Sequence, residues 1–128
     1  MTTAQIILIA GPYRSGTGDD PALMQRNLQR LEEAAWPIFE AGHLPMIGEW
    51  VALPVLASAG ADGPTDPLAE HVMYPTAQRL LQHCSAVLRL PGASTGADQD
   101  VAIARERGIE VYYRLEDVPG VRLPARAS

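Results

Sequence analysis

The chain has 128 residues, 47% of them hydrophobic and 20% charged, which is typical of one folded domain and excludes a disordered segment. Its formal net charge of -5 disfavours a nucleic-acid partner, because such an interface needs a surplus of Lys and Arg to neutralise phosphates. The chain contains no lysine, so a lysine Schiff base is excluded, and its single cysteine, Cys84, excludes an intramolecular disulfide.

The sequence also lacks signals of export and of metal binding. The N-terminal residues show no basic start followed by a long apolar run, and no stretch approaches the ~18 apolar residues of a membrane helix. The three histidines, His43, His71 and His83, are scattered without zinc-ligand spacing. We therefore expect a cytoplasmic protein with no membrane partner, no metal and no cofactor.

The N-terminal third predicts a strand, a helix and a second strand. The apolar run over residues 5–10 ends at a Gly-Pro pair and is typical of a buried strand. A helix begins at residues 19–21, where acids precede a proline, and apolar residues recur at helical spacing as far as Gly42. Within it, Pro37 predicts a kink or an early end. Residues 43–47 predict a short strand, and its proline indicates either an edge position or the entry to the strand.

The middle of the chain predicts two helices interrupted by prolines. The first covers residues 49–59 and is broken or kinked by Pro54. A loop over residues 60–67 follows, rich in Gly, Pro and Asp. Helical spacing then resumes over residues 68–83, with a kink expected at Pro75.

The last third predicts a strand over residues 86–90, a helix over 97–107 and a strand over 109–113. Strands that alternate with helices favour a parallel sheet covered by helices on both faces. We therefore expect residues 1–118 to form one small doubly wound α/β domain, with a mostly parallel sheet of four or five strands. Residues 119–128 are expected to be a loosely held tail.

Two glycine-containing loops, residues 11–18 and 91–100, each join a predicted strand to a predicted helix. Ligands of open parallel sheets bind at the carboxyl ends of strands, so these two loops predict a pocket. Their glycine spacing fits neither a Walker P-loop nor a dinucleotide-binding fingerprint.

The second loop carries the residues best suited to chemistry. Ser94 and Gly96 stand just before the predicted helix, and Asp100 falls in its first turn, where a carboxylate can attack an electrophilic carbon. Asp98 lies two residues away and points in another direction, so only one of the two acids faces the pocket. The competing interpretation is that an acid at a helix start only stabilises the helix dipole.

The first loop and the end of the second strand add further candidates. Arg14 is suited to bind a phosphate or carboxylate, and Tyr13 is suited to orient a catalytic acid or stack on a base. Glu49 is a second carboxylate at a strand end, and a Glu–Asp pair suits glycosidic chemistry. Its neighbour Trp50 is expected to pack in the core.

Two segments resemble the nucleoside 2-deoxyribosyltransferase-like superfamily. Residues 7–13, Ile-Leu-Ile-Ala-Gly-Pro-Tyr, are similar to its opening strand and loop. Residues 94–104, Ser-x-Gly-x-x-x-Asp-x-Ala-x-Ala, followed by Gly-Ile-Glu-Val at 108–111, are similar to its catalytic loop, helix and closing strand. The resemblance covers residues 5–42 and 84–113, and the middle of the chain matches poorly.

The resemblance implies a flavodoxin-like fold, a homo-oligomer, and action on the N-glycosidic bond of a nucleoside or nucleoside 5'-monophosphate, by hydrolysis or deoxyribosyl transfer. It implies that Asp100 is the nucleophile, that Ser94 and Gly96 bind the 5'-hydroxyl or 5'-phosphate, and that Tyr13 lies beside the sugar or holds the carboxylate. With the residues above, the predicted catalytic residues are Asp100, Tyr13 and Glu49. The predicted substrate-binding residues are Gly11, Arg14, Ser94, Gly96 and Asp98.

Two departures from the family pattern leave an alternative open. The family nucleophile is usually Glu, and the shorter Asp100 moves the carboxylate by about 1 Å, a scale of misplacement that can cost ~100-fold in rate. Residues 74–77 also lack the Asp or Asn that family members commonly carry near positions 76–77, so its role is vacant unless Glu49 or Asp98 takes it. The alternatives are a non-catalytic nucleotide-binding module or sensor on the same fold, and an interaction protein whose loops shape an interface.

The predicted helix after the second strand also bears on oligomeric state. It carries more apolar residues than packing of one helix on a sheet requires, which favours a self-complementary interface in a dimer or higher homo-oligomer. These residues are Trp50, Val51, Leu53, Val55 and Leu56.

Overall fold

The computed structural model describes residues 3–122, which contain one parallel sheet of four strands. The strands are β1 (Ile6–Ala10), β2 (Leu44–Met46), β3 (Ala86–Arg89) and β4 (Glu110–Tyr112), and their spatial order is β2-β1-β3-β4. Leu8 pairs with Met46 on one side and Val87 on the other. The small doubly wound α/β fold is therefore confirmed, and its strand order is that of flavodoxin-like domains.

Within residues 3–122, five α-helices accompany the sheet. On one face lie α1 (Pro21–Glu32) and α2 (Ala35–Glu40), and on the other lie α4 (Met73–Leu81) and α5 (Thr95–Glu106). The remaining helix, α3 (Gly48–Ser58), packs mainly against α4. Since the sheet has helices on both faces, its central strands are buried on both sides.

β1 shows why the first apolar run is continuous. Ile7 and Ile9 pack into the core beneath α1 and α2, whereas Leu8 and Ala10 pack into the core beneath α4 and α5. A strand that is buried on both faces needs apolar residues at every position rather than at alternate ones.

Pro37 interrupts the long first helix at the expected point. α1 ends at Glu32 and α2 begins at Ala35, so the break lies three to four residues before the proline. A proline ring clashes with the carbonyl four residues earlier, here that of Glu33, and the proline nitrogen has no hydrogen to bond it.

The single helix predicted over residues 68–83 is wrong. A 3-10 helix (Pro67–His71) comes first, and α4 begins only after a break at Val72. Pro75 therefore stands in the first turn of α4, where its missing N–H costs little, rather than inside a kinked helix.

Side-chain hydrogen bonds cap the N-terminal ends of two helices. Asp20 accepts a hydrogen bond from the backbone N–H of Ala22 and caps α1. Ser94 accepts one from the N–H of Ala97 at 3.1 Å, so α5 begins at Thr95, two residues earlier than predicted. Asp100 consequently falls in the second turn of α5, not in the first.

Trp50 does not pack in the core as expected. Its side chain is 37% exposed, and its indole N–H donates to Oε2 of Glu32 at 2.8 Å. The reason is the orientation of α3, which directs Ala52 and Leu56, one turn apart, toward the interior.

The first residues of the predicted tail contact the domain. The carbonyl of Pro119 accepts a hydrogen bond from Nε2 of the buried His43 at 2.8 Å, and the backbone N–H of Gln5 donates to Nδ1 of the same ring at 3.1 Å. Val121 packs against the core beneath α1 and α2. The prediction for residues 123–128 lies outside the described residues.

Among the described residues, no helix is both long and apolar enough to span a membrane.

Candidate functional site

A cavity of about 200 Å³ opens at the carboxyl end of the sheet, beside the point where the strand order reverses. The ends of β1, the loop after it, and the starts of α3, α4 and α5 surround this cavity. Such a switch point between β1 and β3 is where ligands bind in doubly wound sheets. The cavity brings together seven of the eight predicted site residues: Gly11, Tyr13, Arg14, Glu49, Ser94, Gly96 and Asp100.

Asp100 is the most strongly perturbed acid of the cavity. Burial raises the pKa of its carboxyl group to about 7; the negative charge of Glu49 contributes, and the nearby Arg89 guanidinium opposes the rise. Near neutral pH the carboxyl group is therefore present in both its ionised and its protonated form. A carboxylate in this state combines nucleophilic character with weak solvation.

Glu49 faces the same cavity from the first turn of α3. Burial raises the pKa of its carboxyl group above the usual range. Its charge and that of Asp100 repel each other across the cavity, which favours a state in which one of the two groups keeps a proton. Two carboxyl groups of this kind can divide the roles of nucleophile and proton donor.

Tyr13 lines the cavity beside these acids. Burial of its ring and the charge of Glu49 raise the pKa of its phenol, so the hydroxyl stays protonated at neutral pH and is available as a donor. Its backbone carbonyl accepts a hydrogen bond from Nδ2 of Asn27 at 2.8 Å, which ties this part of the first loop to α1.

Arg89 holds the second loop in place through hydrogen bonds. Its guanidinium donates to the backbone carbonyls of Leu90 and Gly92, the latter at 3.0 Å, and to Oδ1 of Asp98 at 2.9 Å. Asp98 therefore forms an ion pair with Arg89 and lies outside the cavity lining. This position does not support the substrate-binding role predicted for it. Of the two acids, only Asp100 faces the cavity, as the helical geometry predicts.

Ser94 both caps α5 and lines the cavity. Its buried hydroxyl accepts the capping hydrogen bond of α5 and still has its own proton to donate toward a ligand. Next to it, the absence of a side chain at Gly96 leaves room for the ring of Tyr74. A Cβ atom at Gly96 would lie 3.3 Å from Cε1 of that ring.

The two loops touch each other at Pro12 and Gly92. A Cβ atom on Gly92 would lie 2.6 Å from Cγ of Pro12, and Gly92 has a φ of 116° that side-chain-bearing residues rarely adopt. Gly11 also permits close packing, because a Cβ atom there would lie 2.8 Å from Cδ2 of Leu31.

Arg14 stands at the rim of the cavity with its charge already paired. Its Nε and Nη2 atoms bind the two carboxylate oxygens of Asp19 at 2.7 and 3.2 Å, and Nη1 donates to the carbonyl of Pro64 at 3.3 Å. The guanidinium is exposed, and it links the first loop to the loop that precedes the 3-10 helix.

The lining residues that the sequence analysis missed include Glu70 from the 3-10 helix, and Met73 and Tyr74 from the start of α4. The sequence contains only a weak indication that these residues line a site. Their spacing places Tyr74, Ala77 and Leu81 on one helix face, but it does not show that the first turn of this helix reaches a cavity.

The lining is acidic. It contains the carboxyl groups of Glu49, Glu70 and Asp100 against the single guanidinium of Arg14. Within residues 3–122, no group of three or more His, Cys, Asp and Glu side chains is arranged to hold a metal ion.

Comparison of the sequence with models of known protein families gave no match, and comparison with curated proteins gave no significant match.

Proposed function

We propose that the protein acts on the N-glycosidic bond of a nucleoside or nucleoside 5'-monophosphate, by hydrolysis or by deoxyribosyl transfer to a second base. The observation that carries the proposal is the pair of carboxyl groups, Asp100 and Glu49, that line one cavity at the switch point of the sheet. The pKa of Asp100, raised to about 7, and the resemblance of its loop to a glycosyl-transferring superfamily support the same assignment.

Asp100 is the nucleophile in this mechanism. An oxygen of its carboxylate attacks the anomeric carbon, the bond from that carbon to the base nitrogen breaks, and the electron pair leaves with the base. The product is a glycosyl ester on Asp100. Attack by water at the same carbon releases the free sugar, whereas attack by a second base completes a transfer.

Glu49 moves the protons of the reaction. Burial disfavours the charged form of its carboxyl group. When protonated, this group can donate a proton to the departing base. The carboxylate that remains can then take a proton from the attacking water. The Tyr13 phenol, protonated at neutral pH, donates a hydrogen bond to the sugar or to the Asp100 carboxylate.

Substrate binding is assigned to the backbone and hydroxyl groups around these acids. Ser94 has a free hydroxyl proton, and the backbone at Gly11 and Gly96 faces the cavity without side chains. These groups suit the 5' end of the sugar. Arg14 at the rim suits a more distant polar group of the substrate, provided that Asp19 releases it.

The alternative is a non-catalytic nucleotide-binding module on the same fold. The shorter carboxylate side chain at Asp100 favours it, and so does the cavity of about 200 Å³, which is below the range of ~300–1,000 Å³ common for ligand pockets. Binding without turnover would assign the protein to this class.

The test is incubation of the purified protein with ribo- and deoxynucleosides and their 5'-monophosphates, followed by chromatography of the released base. We expect release by the wild type and none by Asp100→Ala. If no base is released while a nucleotide raises the melting temperature, the binding module is correct. Neither release nor a thermal shift would contradict both.

We also infer that the protein forms a homo-oligomer through the side of the domain that carries α2, β2 and α3. These elements carry six exposed large hydrophobic side chains, and a concentration of such side chains is typical of an interaction surface. They are Trp36, Phe39, Leu44, Trp50, Val51 and Val55. Two other residues expected on this surface behave differently, since Leu53 is partly buried and Leu56 is fully buried. Light scattering at micromolar concentration tests the inference, and a monomeric mass would contradict it.

A further inference from the structure

The charges around the cavity disfavour an anionic ligand. Glu49, Glu70 and Asp100 line it, and the only cation of the described lining, Arg14, is paired through two hydrogen bonds with Asp19. A phosphate placed here would meet three carboxyl groups and no free guanidinium. Arg89 lies outside the lining, and three of its N–H groups bind the loop carbonyls and Asp98. Its charge lowers the pKa of Asp100 without preventing the rise that burial causes.

The walls of the cavity suit a flat ring with a positive charge. The rings of Tyr13 and Tyr74 and the thioether of Met73 line it alongside the carboxyl groups. Aromatic faces attract cations, and the attraction is strongest where water is excluded. Aromatic rings combined with carboxylates are the surroundings that a cationic heterocycle prefers over a neutral one.

We propose that the site takes N-glycosides whose base carries a positive charge, such as N7-alkylated purine nucleosides or pyridinium ribosides, without a 5'-phosphate. This substrate class rests on the proposed N-glycosidic function and narrows it. The carrying observation is the juxtaposition of Glu70 and Tyr74, which have no assigned part in the chemistry, with the Asp100 carboxyl group in one cavity.

A cationic base also simplifies the reaction. When the Asp100 oxygen bonds to the anomeric carbon, the bond to the base nitrogen breaks and its electron pair neutralises the charge of the base. The base leaves as a neutral molecule and needs no proton. Water then attacks the glycosyl ester, gives its proton to Glu49 and regenerates the Asp100 carboxylate. This suits a chain without the additional acid of the resembling family near residues 74–77.

The test compares guanosine, 7-methylguanosine and 7-methylguanosine 5'-monophosphate at neutral pH, where Asp100 is partly ionised and much of the methylated base is cationic. We expect KM for 7-methylguanosine to be about tenfold lower than for guanosine, and the 5'-phosphate to raise it again by about tenfold. Because the methylated nucleoside is intrinsically more labile, each kcat is divided by the uncatalysed rate in the same buffer.

Variants of two glutamates identify the source of the preference. Glu70→Gln removes a charge from the cavity wall and should raise KM for 7-methylguanosine about fivefold while lowering it for the 5'-monophosphate. Glu106→Gln, at the exposed C-terminal end of α5 and outside the lining, is the matched control and should leave both values unchanged.

The outcomes separate this proposal from the one on which it rests. Equal KM values for guanosine and 7-methylguanosine, or a preference for the 5'-monophosphate, overturn the substrate class and leave N-glycosidic cleavage standing. Release of base from none of the three compounds, nor from the wider panel of nucleosides, overturns both.

Discussion

The two loops at the switch point of the sheet differ in how they are held. The second loop is braced from within by Arg89, capped by Ser94 and pressed against Pro12 of the other loop. The first loop is exposed from Arg14 to Gly16, and its backbone has positive φ at three positions between Gly16 and Asp19. The loop that leads to Asp100 is therefore held at several points, whereas the loop at the rim has fewer hydrogen bonds to the rest of the domain.

Local hydrogen bonds shape the first loop. The hydroxyl of Thr17 donates to the carbonyl of Arg14 at 2.6 Å and accepts from the N–H of Asp19 at 3.2 Å. Among the described residues, the hydrogen bonds that join this loop to distant parts of the chain are the one from Asn27 to Tyr13 and the one from Arg14 to Pro64. A loop with few external bonds can rearrange around a ligand at little cost.

The largest expected effect tests the nucleophile that the fixed loop positions. Asp100→Asn should reduce base release by more than about 1,000-fold, because an amide cannot form the glycosyl ester. The measurement is kcat by chromatography of the released base. Asp98→Asn, on the same helix but outside the cavity, is the matched control and should retain activity within about tenfold. Similar losses in both variants would contradict the assignment of Asp100.

The contact between the loops gives the next effect. Gly92→Ala should lower the free energy of unfolding by about 3 kcal/mol, since it adds a clash with Pro12 to a strained positive φ. Chemical denaturation measures the change. Gly16→Ala in the first loop also has positive φ, but its Cβ atom meets nothing within 4 Å, so we expect only about 1 kcal/mol. Equal losses would show that the two loops are held alike.

A smaller effect concerns the free energy of unfolding, which the buried charge of Asp100 lowers. The pKa of this carboxyl group is about 7 in the folded protein and about 3.9 in an unfolded chain. A carboxyl group with a raised folded pKa contributes stability fully below the unfolded value and loses it as pH rises through the folded value. The full shift corresponds to about 4 kcal/mol, and since Asp100 is only partly buried, we expect solvent screening to halve it. Asp100→Asn, which cannot ionise, should therefore be more stable than wild type by roughly 2 kcal/mol above pH ~8, with the difference vanishing near pH ~4. Urea denaturation of both proteins across this range provides the measurement, and a pH-independent difference would contradict the burial of the charge.

The smallest effect belongs to the rim of the first loop. Arg14→Gln removes an exposed ion pair with Asp19, and exposed pairs contribute little to stability. The melting temperature should change by no more than about 2 °C. Removing the guanidinium also makes the cavity more acidic, so KM for a 5'-monophosphate should rise. A large fall in melting temperature would mean that the first loop is as firmly held as the second.

Much of the fold was predictable because its signals are local. The continuous apolar run of β1, the acid and proline before α1, and the break ahead of Pro37 each depend on neighbouring residues alone. The predicted helix over 68–83 failed for a related reason, since helical spacing persists across Val72 while the chain switches from a 3-10 helix to α4. Periodicity cannot report a break that preserves the apolar face.

The candidate site was predictable only in part. Asp100, Glu49 and Tyr13 follow strands, and strand ends of a parallel sheet converge on one edge. Glu70 and Tyr74 do not follow a strand. They line the cavity because the 3-10 helix packs against α4 and α4 packs against α5.

The amino-acid sequence by itself determined the strands, the helix caps and the residues at the strand ends, because these depend on interactions over a few positions. Tertiary structure decided which acid faces the cavity, the pairing of Arg14 with Asp19 and of Arg89 with Asp98, and the pKa of Asp100. Those properties arise from burial and from charges brought together across the sheet, and neither exists until the domain has folded.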